Sequence, residues 1–308
     1  MITLISMTGL STSACAEPGA GSEERKSAKE DAGREAEGET FSIAGRHYQL
    51  HDALQYALPD ALREISGLTL DNDARLYAHD DERAIVYQID YGNGRILKRF
   101  ALEGGLRGDF EGIAWLDGML YMTTSSGVLH EFAVGAADAF VPYRLVTDEL
   151  DCEVEGLGRL ADTSALLAAC KNRPKGKKAL HFYDWRPGDE AWPKEPAIKM
   201  KRSGFDASFE RLAAERPGKF QPTAITATPE GHLLVIAGPQ KVLLEFTADG
   251  EPVAAAKIDP DRHRQPEGIA MTASGTLIIA DEGDNKGASR SAARLTIYRP
   301  DPTSGDTQ

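Results

Sequence analysis

One pattern of polar and apolar positions recurs five times along the chain. It runs polar, apolar, polar, then Gly or Ala, then a branched aliphatic residue. The copies are Glu64-Ile65-Ser66-Gly67-Leu68, Asp109-Phe110-Glu111-Gly112-Ile113, Glu153-Val154-Glu155-Gly156-Leu157, Gln221-Pro222-Thr223-Ala224-Ile225 and Gln265-Pro266-Glu267-Gly268-Ile269. Each copy opens an apolar run, which ends in a turn rich in breakers such as Asp71-Asn72-Asp73, Asp117-Gly118 and Pro229-Glu230-Gly231. A second apolar run begins 8 to 10 residues after the central Gly or Ala, at Leu76, Leu120, Leu166, Leu233 and Leu277. Short apolar runs joined by such turns predict antiparallel hairpins. Third strands follow at 85–89, 128–132, 180–183, 242–246 and 295–298, and fourth strands are visible at 96–100 and 253–258.

The central positions are spaced 45, 44, 68 and 44 residues apart. A period near 44 is about the length of a four-stranded propeller blade. The pattern therefore predicts an all-β chain forming a single β-propeller, with four-stranded antiparallel blades around a central channel. Five blades are expected, with six as the alternative. The long step reads as one blade plus an insertion, because 206–215 (DASFERLAAE) has the pattern of a short amphipathic helix; otherwise it hides a degenerate sixth blade. The last repeat ends near Pro300 without an obvious fourth strand. The segment from Phe41 to Leu50 is expected to supply it, closing the ring and removing a free sheet edge.

The ends of the chain read differently. Residues 1–15 are uncharged, mildly apolar and end in Thr12-Ser13-Ala14-Cys15. A small residue before Cys is similar to a bacterial lipoprotein signal, so Cys15 is a candidate lipidation site; an ordinary secretory peptide is the alternative. Residues 16–39 are rich in Glu, Ala, Gly, Ser and Lys, lack aromatic and β-branched residues, and predict a disordered tether. The propeller is expected over 40–302, with a short tail at 303–308. Together these place the protein in the cell envelope, as a periplasm-facing lipoprotein or a secreted protein, monomeric and held to the membrane through its N-terminus.

Charge narrows the partners. The 308 residues carry 48 Asp and Glu against 35 Lys and Arg, a net charge of −13. That balance argues against nucleic acid, since phosphate binding needs clustered Lys and Arg. The one basic run, 171–178 (KNRPKGKK), reads as a solvated hairpin loop. A small molecule or an envelope protein is the expected partner.

Cys152 and Cys170 remain as a possible disulfide, which export permits. Simple hairpin register opposes it. If Leu160 faces Ala165, Cys170 faces Glu155, and Cys152 lies three residues further along, about 10 Å away. That exceeds what a disulfide spans. Only a bulge or a folded-over loop would join them.

Aligning the five copies turns the pattern into columns. One position before the Gly or Ala stand Ser66, Glu111, Glu155, Thr223 and Glu267; three before stand Glu64, Asp109, Glu153, Gln221 and Gln265. Alternation along a strand puts both columns on one face. In a propeller the first strand of each blade lines the channel, so both columns ring one mouth. The hairpin brings the ends of the second strands to the same mouth, including Asp80, Asp81, Asp281 and Glu282. Like charges this close need compensation. The oxygen-only set Glu64, Asp109, Glu111, Glu153, Glu155, Glu267, Asp281 and Glu282 suits a hard cation, calcium above zinc. The same Glu column would otherwise serve only to hold neighbouring blades together, or act catalytically. The Gly column is expected for close backbone approach at the axis. No Gly-x-Ser-x-Gly elbow, phosphate loop, His-Glu-x-x-His or Cys-x-x-Cys occurs.

The ordered motifs Glu-Ile-Ser-Gly-Leu, Asp-Phe-Glu-Gly-Ile-Ala, Glu-Val-Glu-Gly-Leu, Leu-Leu-Ala-Ala-Cys-Lys, Gln-Pro-Glu-Gly-Ile-Ala and Ile-Ala-Asp-Glu-Gly resemble the SdiA-regulated (YjiK-like) family of bacterial β-propellers over about residues 60–300. That resemblance implies an exported or membrane-associated propeller and no defined activity. Glu-Gly-Ile alone also occurs in esterase-like phytases and gluconolactonase-like propellers. The latter imply a channel-mouth calcium and lactone or ester hydrolysis, but their Asn and Asp ligand pattern is missing here. The reading is a ligand- or partner-binding propeller with calcium at its mouth. Its rivals are a metal-dependent phosphoesterase or lactonase with Glu111, Glu155 and Glu267 as ligands, and a structural module of the envelope.

Overall fold

The inner strands of five sheets, Ile65–Leu70, Phe110–Leu116, Val154–Leu160, Pro222–Ala227 and Pro266–Met271, stand side by side around one axis. Each is followed by antiparallel neighbours stepping outward. This is a five-bladed β-propeller, as the spacing of the repeats predicts. The computed structural model describes residues 40–160, 164–171, 179–201, 220–284 and 290–302. Among them 3₁₀ turns stand at Asp60–Leu62 and Gly238–Gln240. The expected helix at 206–215 lies outside the described residues, as do Cys15, the tether and most of the basic run.

The second strands are the most apolar because both of their faces are covered. Leu76 and Ala78 pack toward blade 5, whereas Tyr77, between them, packs toward blade 2. The five hydrophobic clusters of the molecule are its five blade-to-blade interfaces. Blade 1 meets blade 2 through Tyr77, Val86, Phe110 and Met122, and blade 2 meets blade 3 through Tyr121, Leu129, Val154 and Leu166. Blade 3 meets blade 4 through Leu167, Phe182, Val235 and Leu244, and the ring closes through Ala270 and Ile278 against Leu68 and Leu76. Burial on both faces explains why these strands read as continuous apolar runs rather than alternating ones.

Ring closure departs from expectation. The fourth strand of blade 5 is Leu54–Ala57, paired antiparallel with Arg294–Tyr298. The segment from Phe41 to Leu50 instead forms a hairpin, Thr40–Ile43 with Arg46–Gln49. It covers the interface of blades 4 and 5. Phe41 stacks on Tyr48 at 5.1 Å and meets Tyr298 edge-on at 5.2 Å, and Tyr48 Oη donates to the Gly275 carbonyl at 2.8 Å. The reason is burial. An outer strand is half wet, as Leu54 at 37 % exposure shows, whereas Phe41, Ile43 and Tyr48 are almost wholly covered in the groove. Blade 1 also gains an unexpected fifth strand, Phe140–Val141, parallel to its outer edge.

The second departure is the disulfide. Cys152 and Cys170 are bonded, with Cα atoms 5.8 Å apart. Cys170 pairs with Val154, not Glu155, because the ladder skips a residue between Val154 and Gly156. That β-bulge draws Cys152 one place nearer than regular alternation allows.

The bulge is not particular to blade 3. Every inner strand has one at the same place, between Ile65 and Gly67, Phe110 and Gly112, Val154 and Gly156, Pro222 and Ala224, and Pro266 and Gly268. The residue left out of the ladder is Ser66, Glu111, Glu155, Thr223 or Glu267. The Gly that follows lies against the next blade. A Cβ on Gly112 would stand 2.5 Å from the Leu157 amide nitrogen, and one on Gly268 would stand 2.8 Å from Leu68 Cγ. Backbone cannot yield as a side-chain tip can. Gly112→Ala is therefore expected to destabilise the fold by about 1–3 kcal/mol, read as a lower denaturant midpoint with an unchanged slope.

Candidate functional site

The bulges decide which side chains reach the axis. A bulge locally re-aims the strand, and the five bulge positions gather at one end of the channel. Ser66, Glu111, Thr223 and Glu267 line a space of only about 10 Å³ with the residues that follow the Gly column. Leu68, Ile113, Leu157, Ile225 and Ile269 form a belt there, each 4 % exposed or less. The axis is thus closed by an apolar girdle, and the bulge residues form the floor of a mouth rather than the wall of a pore.

Backbone hydrogen bonds set the rim. The first residue after a second strand donates to the carbonyl three places before the Gly: Asp81 to Glu64 at 3.0 Å, Ser125 to Asp109 at 2.8 Å, Lys171 to Glu153 at 2.8 Å and Glu282 to Gln265 at 2.8 Å. Four of the five blades therefore present the two aligned columns side by side. Neighbouring blades are tied at the same level. Phe110 N donates to the Asp81 carbonyl at 2.7 Å, Ser66 Oγ donates to Glu111 Oε2 at 3.1 Å, and Thr223 Oγ1 donates to the Pro266 carbonyl at 2.6 Å.

The acids on the floor do not behave alike. Burial pushes the Glu111 carboxyl up to about 9, helped by the charges of Glu155 and Asp109. Burial likewise pushes Glu267 up to about 8, with Glu155 and Glu282 adding to it. Both are neutral acids near pH 7, able to donate a hydrogen bond. Burial raises Glu155 too, but Lys171 opposes the shift. Lys171 Nζ bonds Glu155 Oε1 directly and lies 3.5 Å from Glu153. Burial works against the Lys171 charge, yet Glu155 and Glu153 hold its pKa above the ordinary value. On the other side, burial raises Asp81 to about 6, with Glu64 the first of four acids that add to it.

The eight acids singled out from the sequence thus have different surroundings. Glu111, Glu155 and Glu267 stand on the floor. Glu64, Asp109, Glu153 and Glu282 stand on the rim, where Gln265 Nε2 bonds Glu282. Asp281 is turned away. Its Oδ2 takes Nδ1 of the fully buried His263 at 2.7 Å, and its Oδ1 accepts from the Gln265 amide at 3.3 Å. Nε2 of that histidine meets Tyr298 Oη at 2.7 Å. Asp80 is similarly spent on Arg83, through Nε at 3.1 Å and the Arg83 amide at 2.9 Å.

Lys171 is a mouth residue that the alignment of acidic columns does not single out. It sits in a matched column, but its neighbours 172–178 made the whole run look like a solvated loop. Only the position directly after Cys170, which the disulfide and the second strand both anchor, marks it as a mouth residue.

A calcium ion fits the donor chemistry and not the arrangement. The floor offers oxygen donors alone, yet among the described residues no three His, Cys, Asp or Glu side chains converge to hold a metal ion. Lys171 already supplies Glu155 with its positive partner. No step through a metal follows from these side chains.

The protonation states yield a pH test. Glu111 holds its proton to about 9 in the fold, against an ordinary carboxyl value of 4.5. Between these values the folded state binds more protons than the unfolded one, so the contribution of Glu111 is fully present below about 4.5 and is lost as pH rises through about 9. Glu111→Gln removes that loss. Relative to the wild type, the variant is expected to gain stability steadily from about pH 5 to about pH 9, measured by denaturant melts across that range.

No protein-family model matches the chain, and no curated protein matches it in sequence. Solved structures do. A glutaminyl cyclase from Myxococcus xanthus superposes with a TM-score of 0.51 at 14% identity, over 81% of this chain and 96% of that one. A gluconolactonase from Xanthomonas campestris superposes with a TM-score of 0.47 at 14% identity, over 77% and 72%. The PQQ-bound aldose sugar dehydrogenase from Streptomyces coelicolor does so with a TM-score of 0.47 at 14% identity, over 80% of this chain and 98% of that one. The likeness is one of fold.

Proposed function

We propose that the chain is a ligand-binding propeller that takes a cationic ligand at its acidic mouth, either an organic ammonium or a hydrated divalent cation such as calcium. The observation that carries this reading is the gathering of Glu111, Glu155 and Glu267 at the bulge level of one closed channel mouth, where burial and neighbouring acids push Glu111 up to about 9 and Glu267 up to about 8. Desolvated acids crowded by Glu155, Asp109 and Glu282 are short of positive charge, and Lys171 alone serves Glu155. A cation above the floor would let both carboxyls ionise and would remove that repulsion. A hydrated or organic cation fits better than a bare ion, because the side chains do not converge on one point.

A second reading is hydrolysis of a lactone or phosphoester at the same place. It is favoured by Glu111, a carboxylic acid neutral at working pH and placed to protonate a leaving oxygen. Location outside the reducing cytosol is part of the proposal. The Cys152–Cys170 bond supports it, since such bonds persist in oxidising compartments. Lipidation of Cys15 would then hold the domain at the membrane.

The test is calorimetric titration with calcium chloride and, separately, spermidine, near pH 7.5 in two buffers of different ionisation enthalpy. Binding of one of them is expected to release protons. The Glu111→Gln/Glu267→Gln double variant is expected to release none and to bind about tenfold or more weakly. Binding without proton release, or no binding of either cation, removes the reading. Hydrolysis of a lactone panel, abolished by Glu111→Gln while no cation binds, favours the second one.

A further inference from the structure

Beyond the apolar girdle the axis opens again at the opposite mouth, into a cavity of about 230 Å³. Its chemistry is unlike that of the acidic mouth. Three residues past the Gly column stand Leu70, Trp115, Arg159, Ala227 and Met271, all of them on its lining. Four are apolar and one is a cation.

Arg159 is exposed at this mouth, and among the described residues none forms an ion pair or hydrogen bond with its guanidinium. The acid beside it, Asp71, is spent. Asp71 accepts from Arg75 Nε at 2.6 Å and from the amides of Asp73 at 3.0 Å and Arg75 at 2.9 Å. Trp115 adds a broad aromatic face to the same lining, while its indole nitrogen is buried away from the opening. A positive group without an anion and an aromatic face thus share one small cavity, lined also by Leu70, Met271 and the girdle and by the polar Thr69, Asn72, Thr226 and Thr272.

We infer that this second mouth is a binding site for a small organic carboxylate, with the anionic head on Arg159 and the apolar or aromatic body against Trp115 and Met271. A guanidinium engages a carboxylate through two parallel hydrogen bonds, and a volume under about 300 Å³ is below that of a drug-sized pocket. The girdle separates the site from the acidic mouth, so the two ligands would be held independently.

Benzoate tests this, followed by tryptophan fluorescence and by calorimetry, with benzyl alcohol and benzylamine as uncharged and cationic comparators. Benzoate is expected to bind saturably and the comparators at least about tenfold more weakly. Arg159→Gln is expected to weaken benzoate about tenfold or more. Trp115→Phe is expected to abolish the fluorescence change and to weaken binding seen by calorimetry. Glu111→Gln, on the far side of the girdle, is expected to leave benzoate binding unchanged. Benzoate binding that survives Arg159→Gln, that is lost with Glu111→Gln, or that is absent at millimolar concentration overturns the inference. Each of these outcomes leaves the cation reading of the acidic mouth where its own titration puts it.

Discussion

Everything in this propeller depends on how closely five inner strands can approach one axis. Five sheets meeting edge-on leave no room for side chains on the first few residues. A Cβ at Gly112 would collide with the backbone of the next blade, one at Gly268 would press on Leu68 of blade 1, and one at Gly156 would stand 3.3 Å from the Ala224 backbone. The Gly column permits the approach. The bulge before it then carries the preceding side chain out of the ladder and toward the axis. One local irregularity, repeated five times, both closes the ring and builds the mouth.

Closing the ring this tightly has an electrostatic consequence. The bulge residues are delivered to a floor sealed by Leu68, Ile113, Leu157, Ile225 and Ile269, where water has little access. Where the residue is Ser66 or Thr223, a hydroxyl bonds the adjacent blade and nothing further is required. Where it is Glu, a carboxyl loses solvent and gains acidic neighbours, so it holds its proton. Lys171 bonds one of the three acids, Glu155, and with Lys241 only partly offsets the repulsion at Glu267. Glu111 and Glu267 give the mouth a chemistry that the opposite end of the channel, with Arg159 among apolar and hydroxyl-bearing residues, does not share.

The blade count, the strands and the position of the mouth were legible because they rest on periodicity. Burial on both faces makes second strands apolar, turns need breakers, and the repeat interval is the length of a blade. Three features were not legible. The Cys152–Cys170 bond looked too long because alternation was counted through Glu155 as though the ladder were regular. The sequence offers Phe41–Leu50 as the closing strand, but an outer strand does not need that much burial and a groove between blades does. Asp281 was grouped with the mouth acids by alignment, and His263, from a loop with no repeat equivalent, takes its carboxylate inward.

The sequence by itself determined the architecture and the level on the axis at which polar residues gather, since both follow from local patterns repeated at a fixed interval. Only the tertiary structure decided what those residues are able to do. Protonation of Glu111 and Glu267, the partner of Glu155 and the loss of Asp281 from the mouth depend on distances between blades. Desolvation and charge repulsion act through space, between residues the chain keeps apart, 44 positions for Glu111 and Glu155, 16 for Glu155 and Lys171 and 18 for His263 and Asp281, and no local pattern carries that information.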